Sequence, residues 1–124
     1  MGEQLQLTLT AQATARRRSA GERRFEAYHR AHPEVLDHIL QVARELNRRG
    51  FTRVGMGLIF ERLRWLHAVA SGGDSFKLNN NYRAYYARVV MALEPALQGF
   101  FRLRDQEVEY EPDLVALGLR TEAA

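Results

Sequence analysis

Between Pro33 and Gly50 the apolar residues Val35, Leu36, Ile39, Val42, Ala43 and Leu46 recur at steps of three and four. That spacing gathers them on one face of an α-helix and on neither face of a strand. Pro33 loses no hydrogen bond in a first turn, and Gly50 supplies a C-terminal stop. A one-sided helix must bury its apolar face against other elements. A chain of 124 residues has room for one such core but not for two. The expected fold class is therefore mainly α, a compact bundle of four to five helices.

The other segments fit that frame. Ser19-Ala20-Gly21-Glu22 has the spacing of a capping box and opens a segment with Phe25, Tyr28 and His32 on one side. Thr52 is the expected cap of a third helix, with Leu58, Ile59, Leu63 and Leu66 on a shared face and Gly55 and Gly57 weakening its first turn. Ser71 to Ser75 reads as a turn. One of Asn79, Asn80 and Asn81 then caps a fourth helix that carries Tyr82, Tyr86, Val89, Val90 and Leu93 inward and Arg83 and Arg88 away. Pro95 kinks that helix or begins a fifth, through Leu97, Phe100 and Phe101 to about Arg104. Glu107-Val108-Glu109-Tyr110-Glu111 alternates with period two, which predicts a short β element pairing with Phe76 to Leu78 or with Leu5 to Leu9. Leu114, Val115, Leu117 and Leu119 form a last apolar patch, suited to docking on the core or on a second subunit, so a homodimer is an allowed assembly. The organisation expected is a flexible arm over residues 1–19, a helical domain over 20–104 and an acidic tail over 105–124.

Charge and composition narrow the classes of function. With no cysteine there is no disulfide, no thiolate nucleophile and no Cys-containing metal site. The longest apolar run, Val54 to Phe60, is too short to span a bilayer. The N-terminus lacks the pattern of a secretory signal, so a cytoplasmic protein is expected. Residues 1–104 carry 17 basic and 9 acidic side chains, a net +8, and residues 105–124 carry 1 and 6, a net −5, which together give the +3 of the whole chain. A basic body suits a polyanion, and an acidic tail can shield it or address another partner.

The densest chemistry lies in Phe76 to Arg88, where thirteen positions hold one Lys, two Arg, three Asn and three Tyr. In a helix-turn-helix or winged-helix arrangement the fourth helix would enter the major groove, with Asn pairing to adenine and Arg to guanine from its N-terminal end. Asn79, Asn80, Asn81, Arg83 and Arg88 have the side chains for that readout. Lys77, Arg62 and Arg64 would contact phosphates, and an exposed Tyr85 would stack on unpaired bases. The connection from about Ala70 to Asn80 is longer than an ordinary helix-turn-helix turn, which favours a winged or atypical form. The pattern leaves open whether Tyr82, Tyr85 and Tyr86 are buried. A structural turn, or a binding surface for RNA or protein, would use the same residues. Glu61 and Arg64, three apart, can pair beneath a Trp65 that fills core space.

These features, in order, are His32-Pro33, Gly50, Gly55-Met56, Phe60-Glu61-Arg62-Leu63-Arg64-Trp65, Phe76-Lys77-Leu78-Asn79-Asn80-Asn81-Tyr82-Arg83 with Tyr86-Ala87-Arg88, Glu94-Pro95, Phe101 and Arg104. They resemble a family of small proteins from bacteriophages, prophages and high-GC bacteria. The resemblance covers roughly residues 28–104 and implies no particular activity.

No catalytic constellation accompanies the block. Lys77 has Ser75 where a restriction-type nuclease carries an acid. Tyr82 and Tyr86 have relaxase-like spacing without a histidine pair to hold a metal. Glu26, His29 and His32 can share one side of a helix, but histidines near a helix end are more often surface or capping groups. The expectation is a non-enzymatic protein with no metal or cofactor. Its expected partner is DNA, and it would act as a regulator or accessory factor of phage or mobile-element type. The alternative is a protein–protein interaction module that binds and modulates a host enzyme.

Overall fold

The computed structural model describes residues 18–72, 78–102 and 110–121. Among them are four α-helices: α1 (Ala20–Ala31), α2 (Pro33–Arg48), α3 (Met56–Ser71) and α4 (Arg83–Leu93). Two 3₁₀ turns, Asn80–Tyr82 and Pro95–Leu97, bracket α4. The mainly α class is what the helical periods predicted.

The capping box at the start of α1 forms in both directions. Ser19 Oγ accepts from the Glu22 amide at 3.1 Å, and Glu22 Oε2 accepts from the Ser19 amide at 3.3 Å. The helix ends at His32, whose amide donates to the carbonyls of Tyr28 and His29, and Pro33 opens α2 directly afterwards. Helix α2 buries Val35, Leu36, Ile39 and Ala43 of the face its periodicity marks, and Leu40 beside them, while Val42 and Leu46 are half-buried against the core. It is closed by Gly50 at φ 95°, a backbone angle that a side chain disfavours.

Helix α3 begins later than expected. Val54 donates to Phe100 O at 2.8 Å and accepts from the Arg102 amide at 2.9 Å, a parallel bridge centred on Phe101. Those two bonds hold residue 54 extended, so Thr52 cannot cap a helix, and the N-cap falls to Gly55. The buried face is Met56, Ile59, Phe60 and Leu63. Leu58 and Leu66, expected inward, are instead exposed, because the core-facing line is rotated away from them.

After α4, Pro95 nucleates one 3₁₀ turn in place of a helix reaching Arg104. Gly99 at φ 76° then turns the chain so that Phe100 and Phe101 are both buried, rings edge to face at 5.3 Å. Among the described residues the Val54–Phe101 bridge is isolated and no strand forms. Tyr110 and Glu111 are not in a strand, nor is Leu78 of the proposed partner Phe76 to Leu78, while 107–109, 76–77 and the other proposed partner, 5–9, lie outside the described residues, as do 1–17 of the expected arm. Of the expected acidic tail, residues 110–121 pack on the core, with Tyr110, Leu114 and Leu117 buried and Leu119 against them.

Phe25 is the hub of the core. Tyr85 stacks on it at 5.1 Å, Tyr86 meets it edge-on at 4.8 Å, and Tyr82 and Tyr110 do so at 5.7 Å. Offset and edge-to-face pairs of this kind add to the stabilisation from area burial alone. One residue of α1 therefore gathers α4 and the C-terminal segment. No helix among the described residues is long and apolar enough to cross a membrane.

Candidate nucleic-acid interface

The Asn-rich block forms a tightly bonded turn leading into α4. Asn79 Oδ1 accepts from the Asn81 amide at 2.9 Å, and Asn79 O accepts from the Tyr82 amide at 3.0 Å. The first asparagine thus caps the 3₁₀ turn and not, as expected, α4, which follows directly from that turn with Tyr82 as an N-cap that makes no side-chain cap bond. Arg83 Nε donates back to Asn80 O at 3.0 Å. The Arg83 guanidinium reaches helix α3 opposite Gly57, where an added Cβ would lie 3.4 Å from it.

Arg64 ties this turn to α3. Its Nη1 donates to Glu61 Oε1 at 2.6 Å, and its Nη2 donates to Leu78 O at 2.8 Å and to Asn80 Oδ1. A planar guanidinium can make all three contacts because its donors diverge at fixed angles. Arg64 therefore works as a structural tie rather than the exposed phosphate contact expected of it. The Glu61–Arg64 pair forms, but on the surface, with Glu61 73% exposed.

Three further expectations are corrected. Tyr85 is buried against Phe25 and Tyr110, so its ring is not presented for stacking on a base. Trp65 is exposed rather than filling the core. Arg62 faces away from the Asn turn, with its guanidinium 4.6 Å from the centre of the Trp65 ring. Asn79, Asn80, Asn81 and Arg83 come together as one exposed edge, and Arg88 is half-buried further along α4. Lys77 lies outside the described residues.

Sequence reasoning did not find two other features. Between α2 and α3 runs a groove of about 540 Å³, lined by Val42, Leu46, Phe51, Leu58 and Leu66 with Gln41, Glu45, Arg49 and Arg62 at its rim. Its signal was present in Leu58 and Leu66, which widen the apolar side of α3 beyond the buried line of Met56, Ile59, Phe60 and Leu63. Glu45 takes hydrogen bonds from Arg48 and Arg49, and these hold its carboxyl below its ordinary pKa.

The second is a buried polar cluster on α1. Glu26 pairs with Arg18 at 3.2 Å and accepts from Tyr110 Oη at 3.1 Å, while His29 Nε2 lies 3.2 Å from Leu117 O. That last contact requires the hydrogen on Nε2, since a carbonyl only accepts. His32 is exposed beside Glu34, so Glu26, His29 and His32 point to three different partners. Among the described residues no three carboxylate or imidazole groups are placed to share a metal ion. No protein-family model, curated protein or solved structure matches this chain.

Proposed function

We propose that this chain is a nucleic-acid-binding protein, with DNA as its ligand, acting as a regulator or accessory factor by binding rather than catalysis. The observation that carries the reading is the exposed edge Asn79–Asn80–Asn81–Arg83 at the start of α4, braced from behind by Arg64. A recognition element needs amide and guanidinium groups at the N-terminal end of a helix, held without freedom to collapse. Helix α3 then takes the place of the supporting helix, and the long connection makes the pair an atypical helix-turn-helix. The Val54–Phe101 bridge is where a wing would be rooted. Asn81 and Arg83 read bases, Arg88 lies further along the same helix, and the +8 of residues 1–104 supplies salt-sensitive affinity. A cytoplasmic place of action fits a chain without cysteine.

The test is fluorescence anisotropy against labelled duplex DNA, single-stranded DNA and RNA at two salt concentrations, with Asn81→Ala/Arg83→Ala as the variant. Binding that falls steeply with salt, and a variant about tenfold weaker or worse, are the outcomes expected for lost base and phosphate contacts. Unchanged affinity in a variant with the native circular dichroism spectrum would reject this site. The second reading, an interaction module that modulates a host enzyme, is favoured by one observation, the exposed Trp65 flanked by Leu58 and Val69.

A further inference from the structure

The outward face of α3 is unexplained by the nucleic-acid reading. Leu58, Trp65 and Val69 are 55%, 54% and 63% exposed, and Arg62 among them is exposed as well. The opposite face of the same helix already fills the core, so these side chains lie outside the core of one copy. A contiguous apolar strip of this kind marks a contact surface.

The positions are spaced four, three and four along the helix, the a/d seam of a coiled coil, with Leu58 and Trp65 at d and Arg62 and Val69 at a. That series of steps reads the same in both directions. When two copies of α3 lie antiparallel about a dyad between Arg62 and Trp65, Leu58 meets Val69 of the partner subunit in both outer layers. Arg62 meets Trp65 of the partner subunit in both inner ones. A parallel pair would instead set Arg62 against Arg62, two like charges in one layer. Charge thus selects the antiparallel register, and the contact it creates, guanidinium on indole, is one Arg62 already makes within its own helix at 4.6 Å. Beside the seam, the groove with Val42, Leu46 and Phe51 on its wall and both Glu45 and Arg49 at its rim offers a second copy apolar room and charges of either sign.

We infer that this face binds a second copy of the chain, forming an antiparallel homodimer through α3. The inference rests on a different surface from the proposed nucleic-acid edge and stands or falls without it.

The native chain has no cysteine, so introduced thiols report cleanly. Positions 58 and 69 of one helix are separated by about 16 Å of rise, far beyond the ~7 Å Cα separation a disulfide spans. Any bond between them in Leu58→Cys/Val69→Cys is therefore intermolecular. The expected result is a dimer mass for the native chain by light scattering over a micromolar to millimolar series. The oxidised double variant should give a covalent dimer whose mapped peptides join 58 to 69. Val69→Glu, at a position the single subunit leaves in water, should weaken dimerisation by roughly tenfold or more while leaving the circular dichroism spectrum unchanged. A monomer mass throughout the series overturns the inference and leaves the face to a different protein. A dimer whose disulfides join 58 to 58 and 69 to 69 overturns the antiparallel register.

Discussion

Tyr110 Oη donates to the carboxylate of Glu26 at 3.1 Å across 84 positions of chain, with both residues almost fully buried. Arg18 supplies the compensating charge at 3.2 Å from its side of the cluster. A buried carboxylate is tolerated when it is both paired and hydrogen-bonded. Tyr110→Phe keeps the ring that packs on Phe25 and Tyr85 and removes only the donor, so the loss measures that bond. Urea denaturation should show it destabilised by about 1–3 kcal/mol, the range for a bond to a buried charged group. Stability equal to the native chain would mean that Arg18 alone satisfies Glu26.

Alkaline pH should unfold the protein through its tyrosines. Burial, ahead of the nearby Tyr28 and Glu34, pushes the Tyr86 phenol well above its ordinary value of 10.0. Burial, ahead of the Glu26 charge, does the same to Tyr110. A raised native value means the folded state resists losing the proton. The stabilisation is fully present below pH 10 and is lost as pH climbs from there toward the native values. Thermal melts should hold steady on the approach to pH 10 and fall above it, with a shallower fall in Tyr110→Phe. A melting temperature flat to pH 12 would contradict the burial of these hydroxyls.

Tyr86 offers the opposite kind of substitution. Its hydroxyl is buried and has no hydrogen-bond partner among the described residues, while its ring contacts Phe25 and Phe60. Burying an unsatisfied hydroxyl costs on the order of 1–3 kcal/mol. Tyr86→Phe should therefore be neutral or stabilising by up to about that amount in urea titration. A loss of more than about 1 kcal/mol, the scale of one ordinary hydrogen bond, would reveal a partner for that oxygen.

Arg64 should be irreplaceable by lysine. One ammonium cannot span the fixed directions to Glu61, Leu78 O and Asn80 that the guanidinium serves together. Both Arg64→Lys and Arg64→Ala should speed hydrogen exchange at the Asn81 and Tyr82 amides more than in α2. Their global stability should fall by about 1–3 kcal/mol. Exchange rates at those amides matching the native chain would show that Asn79 alone fixes the turn.

The parts of this fold that were readable from sequence are those decided locally. Ser19 and Glu22 specify a capping box within four residues, Pro33 and Gly50 bound α2, and three- and four-residue steps pick out its buried face apart from Leu40. What was not readable depends on partners distant in the chain. Thr52 has the chemistry of a cap, but Phe100 and Arg102 claim the backbone of Val54. Tyr85 and Trp65 are comparable aromatic residues on neighbouring helices. Tyr85 turns inward because Phe25 and Tyr110 meet it there, and Trp65 turns outward because α3 is already covered on its other face. At the candidate site, the sequence located the Asn-rich edge, whereas the division of labour between Arg64 as brace and Arg83 as exposed group required the fold. Glu26 could be grouped by spacing with His29 and His32, but nothing near it in sequence announces Tyr110, its partner in the fold.

The Val54–Phe101 bridge encloses both α3 and α4 in the loop it closes. Loop closure over so many residues is entropically unfavourable until the helices inside it have packed. The bridge therefore depends on the helices it encloses: its two backbone bonds at Val54 offset that closure cost only where α3 and α4 are packed on each other, with Arg64 holding the turn between them.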